Sequence, residues 1–185
     1  YYGCDFSFDN NIFKSKERTI EFVESLLVDS INLRMRADVP VCLTLSGGID
    51  STTIYTLIKE KTDLEISTFT FVHPDSSTNE YNKVKKLVDS YNDSVVCVTA
   101  PEKDSIDNLK QDLSIVEFPI WGISTRAYRQ TYEKIKENGF KVVLEGHGSD
   151  EFLGGYPYMI NSAVNDYLRR FKFRKAYQTL KLGLD

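Results

Sequence analysis

The sequence predicts an α/β fold in which a doubly wound parallel sheet carries helices on both faces. Short β-branched apolar runs alternate along the chain with segments whose apolar residues recur every three or four positions, which is the pattern of strands alternating with amphipathic helices. The first strand candidate, VPVCLTL, is a nearly continuous apolar run, as expected for a strand covered on both sides. A double glycine then breaks the pattern, at residues 47–48.

The first part of the chain predicts three helices and two strands. An apolar stripe between residues 19 and 35 predicts the first helix and consists of Ile20, Val23, Leu27, Ile31 and Met35. Residues 39–45 predict a buried strand, and the helical period restarts at Ile54 after the glycines. Residues 65–72 predict a second strand. The helix behind it is predicted from the spacing of Tyr81, Val84, Val88 and Tyr91, with a loop over residues 73–80.

The same alternation continues to the end of the chain. Residues 94–100 predict a strand and residues 106–113 a helix. A helix that contains Ala127 and Ile135 is expected to stop at Gly139, because glycine commonly ends helices. Residues 141–146 predict the last strand, and the pattern from Val164 to Phe171 predicts that the chain closes in helices.

Length and composition predict one globular unit. A chain of 185 residues that is 41% hydrophobic can close one core, and it is too short for two full-sized domains. We assign residues 1–36 to an N-terminal segment with the helix that leads into the domain, and residues 37–185 to the domain itself. The chain lacks an initiator Met and stops inside a helical pattern, so we expect a piece of a longer protein.

Charge and cysteine content exclude several classes of protein. A net charge of −4 offers no basic footprint for a polyanion, so no nucleic-acid partner is expected. The scattered cysteines Cys4, Cys42 and Cys97 form no CxxC pair, which indicates neither a disulfide framework nor a zinc site and favours a reducing cytoplasm. No apolar run is long enough to span a bilayer, so no membrane partner is expected either.

The segment SGGIDS, residues 46–51, lies between a strand and a helix, where backbone amides and the positive helix end can hold an anion. Gly47 and Gly48 would let phosphate oxygens approach the backbone, and Ser46 and Ser51 add hydroxyl groups. Asp50 would repel a phosphate unless a divalent cation lay between them. The segment therefore predicts a phosphate site that works with a metal ion.

The glycines also admit other interpretations. Neither the Walker sequence GxxxxGK(S/T) nor the GxGxxG fingerprint is present. Without the Walker lysine, the loop suits the β and γ phosphates as a departing unit. The alternative is a tight strand–helix turn with Ser or Asp as a simple N-cap.

Two motifs carry a family resemblance. SGGIDS resembles the pyrophosphate loop of the ATP pyrophosphatase superfamily, whose members adenylate a substrate and release pyrophosphate. The stretch VVLEGHGSDEFLGGY, residues 142–156, resembles the (S/D)GxGxDExxGGY signature of the glutamine-hydrolysing asparagine synthetase family. The resemblance runs from about residue 13 to residue 156 and implies the synthetase domain of that family, with an adenine nucleotide alpha hydrolase-like fold.

The resemblance also implies roles for individual residues. Ser46, Gly47, Gly48 and Ser51 would hold the pyrophosphate of ATP. Asp50 and Asp150 would face Mg²⁺. The positions at which the family contacts the adenosine part of ATP are Leu45, Phe71 and Gly146.

Three departures from the family are visible. His147 occupies a position where the family carries Glu or Gln. It would act in catalysis, by taking a proton from ammonia or by hydrogen-bonding the substrate carboxylate. The alternative is that it is a polar loop residue without a catalytic role. Glu145 replaces Ser or Asp, and its side chain is expected to be peripheral. In the EFP segment, residues 117–119, Phe118 replaces one of the family's acids. The acceptor pocket is in doubt there.

The resemblance implies an ATP-dependent carbon–nitrogen ligase. It would adenylate a carboxylate, with aspartate as the default substrate, and amidate it with ammonia from a glutaminase domain outside this chain. The isolated fragment is expected to be inactive, and its parent is a possible homodimer. Relatives that act on sugars, peptides or β-lactam precursors use the same motifs, so another acceptor stays open, as do a transfer-RNA modifying enzyme and a non-catalytic ATP-binding module.

Overall fold

The computed structural model of the chain describes residues 15–72, 80–99, 106–119 and 124–182. The helices in these ranges are α1 (Lys16–Arg34), α2 (Ile49–Lys61), α3 (Glu80–Ser90), α4 (Ile106–Val116), α5 (Ser124–Glu137), α6 (Ser149–Leu153), α7 (Pro157–Arg169) and α8 (Phe173–Leu182). The strands are β1 (Val41–Thr44), β2 (Ser67–Val72), β3 (Val95–Thr99) and β4 (Val142–Leu144). The four predicted strands and the helices that separate them are confirmed.

The chain divides into two compact units, which are described separately. The first unit ends at Glu145 and the second begins at Gly146. The first unit contains the whole sheet, and the second contains α6, α7 and α8.

The strands of the first unit form one parallel sheet in the order β3-β2-β1-β4. The register places Leu43 opposite Thr68 of β2 on one side and opposite Leu144 of β4 on the other. The chain progresses from β1 to β2 and β3, and then returns to the far side of β1 as β4. The strand order therefore reverses at β1, and ligands of open α/β sheets bind outside the carboxyl ends of the strands at such a point.

Both faces of the sheet are covered by helices, as predicted. Val41, Leu43 and Leu45 of one face belong to a buried cluster with Ile31 of α1, Tyr55, Leu57 and Ile58 of α2, and Val84 and Val88 of α3. On the opposite face, Cys42 and Phe69 pack with Ile135 of α5. Because a fully buried aliphatic side chain contributes about 1.5–3 kcal/mol, these two layers hold β1 firmly and fix the point at which the next loop begins.

Local signals in the sequence set the helix ends. Ser15 caps α1, since its side chain accepts a hydrogen bond from the Arg18 amide at 3.3 Å. Gly139 has φ +85° beyond the end of α5, and the Phe140 amide then donates to the Ile135 carbonyl at 3.2 Å. The predicted stop at Gly139 is confirmed.

The second unit is a set of three helices. α6 and α7 are separated by Gly154, which has φ +84°, and Pro157 opens α7, a position where its missing amide costs nothing. In α8 the Ala176 side chain is buried. No helix in the described ranges is long and apolar enough to cross a membrane. Residues 73–79 of the predicted loop 73–80 lie outside the described residues, and Glu80, its last predicted residue, instead begins α3.

Candidate active site

The glycine-rich loop continues directly from β1. The Leu45 amide donates to the Phe69 carbonyl at 2.8 Å, so the pairing of β1 with β2 extends one residue past Thr44. The Leu45 side chain is buried in the core. Ser46 is exposed, and the loop therefore begins at Ser46 from a rigid support.

Gly47 has a conformation and a neighbourhood that select glycine. Its φ is +74°, in the left-handed region. A Cβ at this position would lie 3.3 Å from both the Glu80 carbonyl oxygen and Val84 Cγ2 of α3. Gly48 has an ordinary φ of −76°, and a Cβ there would approach only Ser46 Oγ, at 3.4 Å. The tight turn thus depends mainly on Gly47, because α3 packs against it.

The two loop serines bond to each other. Ser46 Oγ lies 3.0 Å from Ser51 Oγ, and the Ser46 amide donates to Ser51 Oγ at 3.1 Å. The N-cap of α2 is Gly48, and no side chain caps the helix. In the alternative of a simple tight turn, the predicted N-cap by Ser or Asp is therefore wrong.

The start of α2 presents backbone donors. The first-turn amides of Ile49, Asp50 and Ser51 have no partner within their helix, since the i−4 carbonyl of each lies outside it. Ile49 is strongly exposed, and the glycines before it leave the approach to the backbone open. These amides, the serine hydroxyls and the positive end of a 13-residue helix suit an anion. That this anion is the pyrophosphate of ATP stays a prediction.

Asp50 lies in the first turn of α2 and is partly exposed. A carboxylate is a hard oxygen ligand, suited to Mg²⁺, and it stands beside the amides that fit the phosphates. In the part of the chain that the structure describes, no three His, Cys, Asp or Glu side chains lie together as a metal cluster. Any cation here would therefore take much of its coordination from phosphate oxygens and water.

Glu145 is a feature of this edge that the sequence did not predict. Its Oε1 accepts hydrogen bonds from Tyr132 Oη of α5 at 2.8 Å and from Thr44 Oγ1 at 3.4 Å. Burial and the bond to Glu145 raise the pKa of Tyr132. Glu145 is half-buried at the carboxyl end of β4, so its side chain is held at this edge of the sheet, and its predicted peripheral role stays a prediction. It sits next to the start of the loop.

Other predicted positions of the first unit lie on separate elements. Phe71 is partly buried in β2, where it pairs in register with Val98 of β3. Glu117 follows α4 with φ +53°, and its amide donates to the Leu113 carbonyl at 2.9 Å. Phe118 is exposed. The family roles of Phe71 and of the EFP segment stay predictions.

A buried ion cluster fixes α4, which precedes the EFP segment, against α5. The Asp112 carboxylate is buried and accepts hydrogen bonds from Nε of Arg126, at 3.2 Å, and from Nε of Arg129. Arg129 also donates to Glu133 at 2.6 Å. Removing one partner from such a buried set is costly, because an uncompensated charge stays behind.

In the second unit, the glycines of the other motif shape a turn around Asp150. Gly148 precedes α6 with φ +89°, and Ser149 Oγ donates to the Gly146 carbonyl at 2.9 Å. The amides of Gly154 and Gly155 donate to the Asp150 carbonyl at 3.1 and 3.3 Å. A Cβ on Gly155 would overlap the Asp150 carboxylate. Gly155, the second glycine of the pair, therefore makes room for that side chain.

The rest of this motif is more open. His147 is exposed. Tyr156 donates its hydroxyl to Glu151 Oε1 at 2.8 Å, and this bond raises the pKa of Tyr156 to about 12. Asp50 lies in the first unit, whereas Gly146, His147 and Asp150 lie in the second. That Asp50 and Asp150 share one magnesium ion stays a prediction.

Comparison with known proteins identifies the family. A family model described as asparagine synthase matches residues 23–183. The chain is 35% identical over 153 residues to asparagine synthetase [glutamine-hydrolysing] 2 of Bacillus subtilis, covering 79% of this chain and 20% of that protein. It is also 27% identical over 157 residues to amidase chry2 of Gibberella zeae, covering 77% of this chain and 23% of that protein.

The chain is also 33% identical over 159 residues to a protein of Methanocaldococcus jannaschii that is named putative asparagine synthetase [glutamine-hydrolysing] 2. The match covers 84% of this chain and 30% of that protein. Among solved structures, it resembles the NH3-dependent NAD synthetase of Campylobacter jejuni, with 16% identity and a TM-score of 0.47 over 74% of this chain and 60% of that one. From the extent of the family match, the chain belongs to the asparagine synthase family.

Proposed function

We propose that the chain is the nucleotide-binding part of an ATP-dependent ligase that forms carbon–nitrogen bonds. The observation that carries this proposal is the loop after β1, in which an exposed helix start without a side-chain cap follows a left-handed glycine. Membership of the asparagine synthase family supports the same activity. The proposed reaction converts a carboxylate, which is a poor electrophile, into an amide.

In the first step, a carboxylate oxygen of the substrate attacks the α-phosphorus of ATP, and pyrophosphate leaves. We assign the grip on the departing pyrophosphate to Ser46, Gly47, Gly48 and Ser51, whose backbone and hydroxyl donors would face it. Fixed donors that meet developing negative charge lower the barrier of such a step. Asp50 and Asp150 are the proposed holders of Mg²⁺, which when bound would neutralise charge on the leaving group.

The adenosine part of ATP is assigned to Leu45, Phe71 and Gly146, by family position. Leu45 and Phe71 lie at or near the carboxyl ends of neighbouring strands, where nucleotides bind in open α/β folds. Glu145 lies at the same edge.

In the second step, ammonia attacks the carbonyl carbon of the acyl-adenylate, AMP leaves, and the amide remains. The ammonia would come from glutamine, through a glutaminase domain outside this chain. His147 is the proposed acceptor of the proton that ammonia loses. We retain a homodimeric parent and a cytoplasmic compartment as part of this proposal, the latter supported by the free thiols of Cys42 and Cys97.

Aspartate is the proposed acceptor, because relatives are named as asparagine synthetases. A different carboxylate is the second candidate, since two relatives are named as amidases. Pyrophosphate exchange by the complete polypeptide separates them. Incorporation of labelled pyrophosphate into ATP that depends on aspartate supports the first, and dependence on another carboxylate supports the second. If none of the carboxylates tested supports exchange, the result favours a non-catalytic ATP-binding module.

The phosphate site can be tested by binding alone. Asp50→Ala is expected to abolish the Mg²⁺-dependent part of ATP affinity in calorimetry, because the cation would lose a protein ligand beside the phosphates. Asp63→Ala is the matched control, since Asp63 is an exposed acid just past the other end of α2. Equal ATP affinity of the Asp50→Ala protein and the wild type, with Mg²⁺ present, would count against the assignment.

A further inference from the structure

A carboxylate is held at the carboxyl edge of the sheet, beside the strand that leads into the glycine-rich loop. Glu145 directly follows β4 and is half-buried. Its Oε1 accepts hydrogen bonds from Tyr132 Oη at 2.8 Å and from Thr44 Oγ1 at 3.4 Å. Two hydroxyl groups, one from α5 and one from β1, therefore fix the position of this acidic side chain.

The strand register places the carboxylate close to the loop. β1 and β4 pair with Leu43 opposite Leu144, so Thr44 and Glu145 are the next residues in the same register, on strands about 4.8 Å apart. Ser46, the first loop residue, comes two residues after Thr44. At about 3.3 Å per residue, Ser46 lies roughly 7 Å beyond Thr44. Glu145 is therefore within the length of a nucleotide of the proposed phosphate site.

The charge of this side chain limits which part of ATP it suits. A carboxylate repels phosphate oxygens unless a cation lies between them, so Glu145 is a poor partner for the triphosphate. An ionised carboxylate accepts hydrogen bonds and donates none. The donors of ATP nearest to its phosphates are the ribose hydroxyls, and only the α phosphate separates the ribose from the β phosphate. In dinucleotide-binding α/β folds, an Asp or Glu hydrogen-bonds the ribose 2′-hydroxyl.

We propose that Glu145 accepts a hydrogen bond from a ribose hydroxyl of the bound nucleotide and thereby selects ATP over its deoxy analogues. The inference rests on the proposed function, because it requires ATP with its β and γ phosphates at the loop. Glu145 then determines nucleotide specificity, in place of the peripheral role that the sequence predicts.

Tyr132 is a positioning residue in this arrangement. Burial and the hydrogen bond to Glu145 raise the pKa of Tyr132, so its hydroxyl stays protonated and donates at neutral pH. The Tyr132 ring stacks on the Tyr128 ring, with centroids 6.3 Å apart and planes at 22°. This ring contact supports the direction of the hydroxyl. Tyr132→Phe therefore removes the donor and leaves the stacking in place.

An amine on the acceptor is the other donor that suits a carboxylate at this edge. The ribose is favoured because it belongs to ATP, which both candidate reactions use, whereas only some candidate acceptors carry an amine. The acceptor must also bring its own carboxylate to the α phosphorus, and two carboxylates held close together repel each other.

Calorimetry with ATP, 2′-deoxy-ATP and 3′-deoxy-ATP, each with Mg²⁺, tests the proposal on the complete polypeptide. We expect the wild type to bind ATP on the order of tenfold more tightly than at least one deoxy analogue, because a hydrogen bond to a charged group is lost. Glu145→Ala should bring this ratio of affinities to about one, and Tyr132→Phe should lower it. Glu137→Ala is the matched control, since Glu137 is an exposed acid at the end of α5 that pairs with Lys134. It should leave the ratio unchanged.

The outcomes separate this inference from the proposed function. If the wild type binds ATP and both deoxy analogues equally, and binding still depends on Asp50, the inference is overturned and the proposed function stands. The inference is also overturned if Glu145→Ala keeps the wild-type ratio, including the case in which it only raises KM for the acceptor in pyrophosphate exchange. If ATP does not bind to the wild type, the proposed function fails and the inference fails with it.

Discussion

Replacing single glycines of the first unit by alanine tests the geometry of the phosphate loop. Gly47 combines a left-handed φ with close neighbours from α3. Gly139 has a similar φ of +85°, but a Cβ there would meet nothing within 4 Å. Gly48 has an ordinary φ and only one side-chain neighbour. The three positions therefore separate backbone strain from crowding.

The expected costs follow from these differences. Gly139→Ala should lower the free energy of unfolding by about 1–2 kcal/mol, which is the cost of a left-handed L-residue. Gly47→Ala adds two contacts at 3.3 Å, one of them to the backbone oxygen of Glu80, and overpacking adds about 1–3 kcal/mol. At Gly48, the poorer N-cap and the reduced freedom of the unfolded chain offset each other, so the change should be near zero.

Urea unfolding of the three variants measures these costs directly. The expected order of destabilisation is Gly47, then Gly139, then Gly48, with unchanged m-values. If Gly47→Ala destabilises no more than Gly139→Ala, then α3 does not pack against the loop as described. If Gly48→Ala is the most damaging, then the roles given to the two glycines are reversed.

Two other predictions concern side chains of the same unit. Iodoacetamide should alkylate the exposed Cys97 and spare Cys42 until the chain unfolds, because Cys42 is buried and burial raises its pKa to about 11. Equal labelling of the two cysteines in the folded protein, measured by mass spectrometry, would contradict this. Burial raises the pKa of Asp93, but hydrogen bonds from Lys59 and a backbone amide outweigh it, so this pKa lies below the usual value. The resulting stability is present above the unfolded pKa of about 3.9 and is lost as pH falls through the folded pKa. Asp93→Asn should therefore make the free energy of unfolding fall less steeply as pH decreases. An identical pH dependence of the unfolding free energy in both proteins would rule this out.

Much of the fold could be predicted because its signals are local. The break after β1 and the stop at Gly139 depend on backbone conformations that only certain residues adopt easily, and both lie where the sequence indicates. The end of α7 was harder to predict from the sequence. Phe171 continues an apolar spacing that predicts helix, but it ends up in a left-handed turn in solvent. The spacing of apolar residues alone does not show that α7 ends at Arg169, before Phe171.

The turn at the glycine-rich loop was predictable for a similar reason. The proposed hydrogen-bond donors come from six consecutive residues, so they can be predicted without knowing which strands pair. The bond between Ser46 and Ser51 adds detail that no motif contains, since it depends on the exact turn. Each serine thereby holds the other in position, while no side chain caps α2.

Glu145 shows why the other half of the site could not be predicted in the same way. Its partners Thr44 and Tyr132 are 101 and 13 residues away in sequence, and Thr44 meets it only because β4 returns to the free side of β1. A family pattern that carries Ser or Asp at this position gives no reason to expect a longer carboxylate with two hydroxyl donors. The strand order decides which departures from a family matter. A substitution at a switch-point strand end lies at the proposed site, whereas the same substitution at an outer strand would lie away from it.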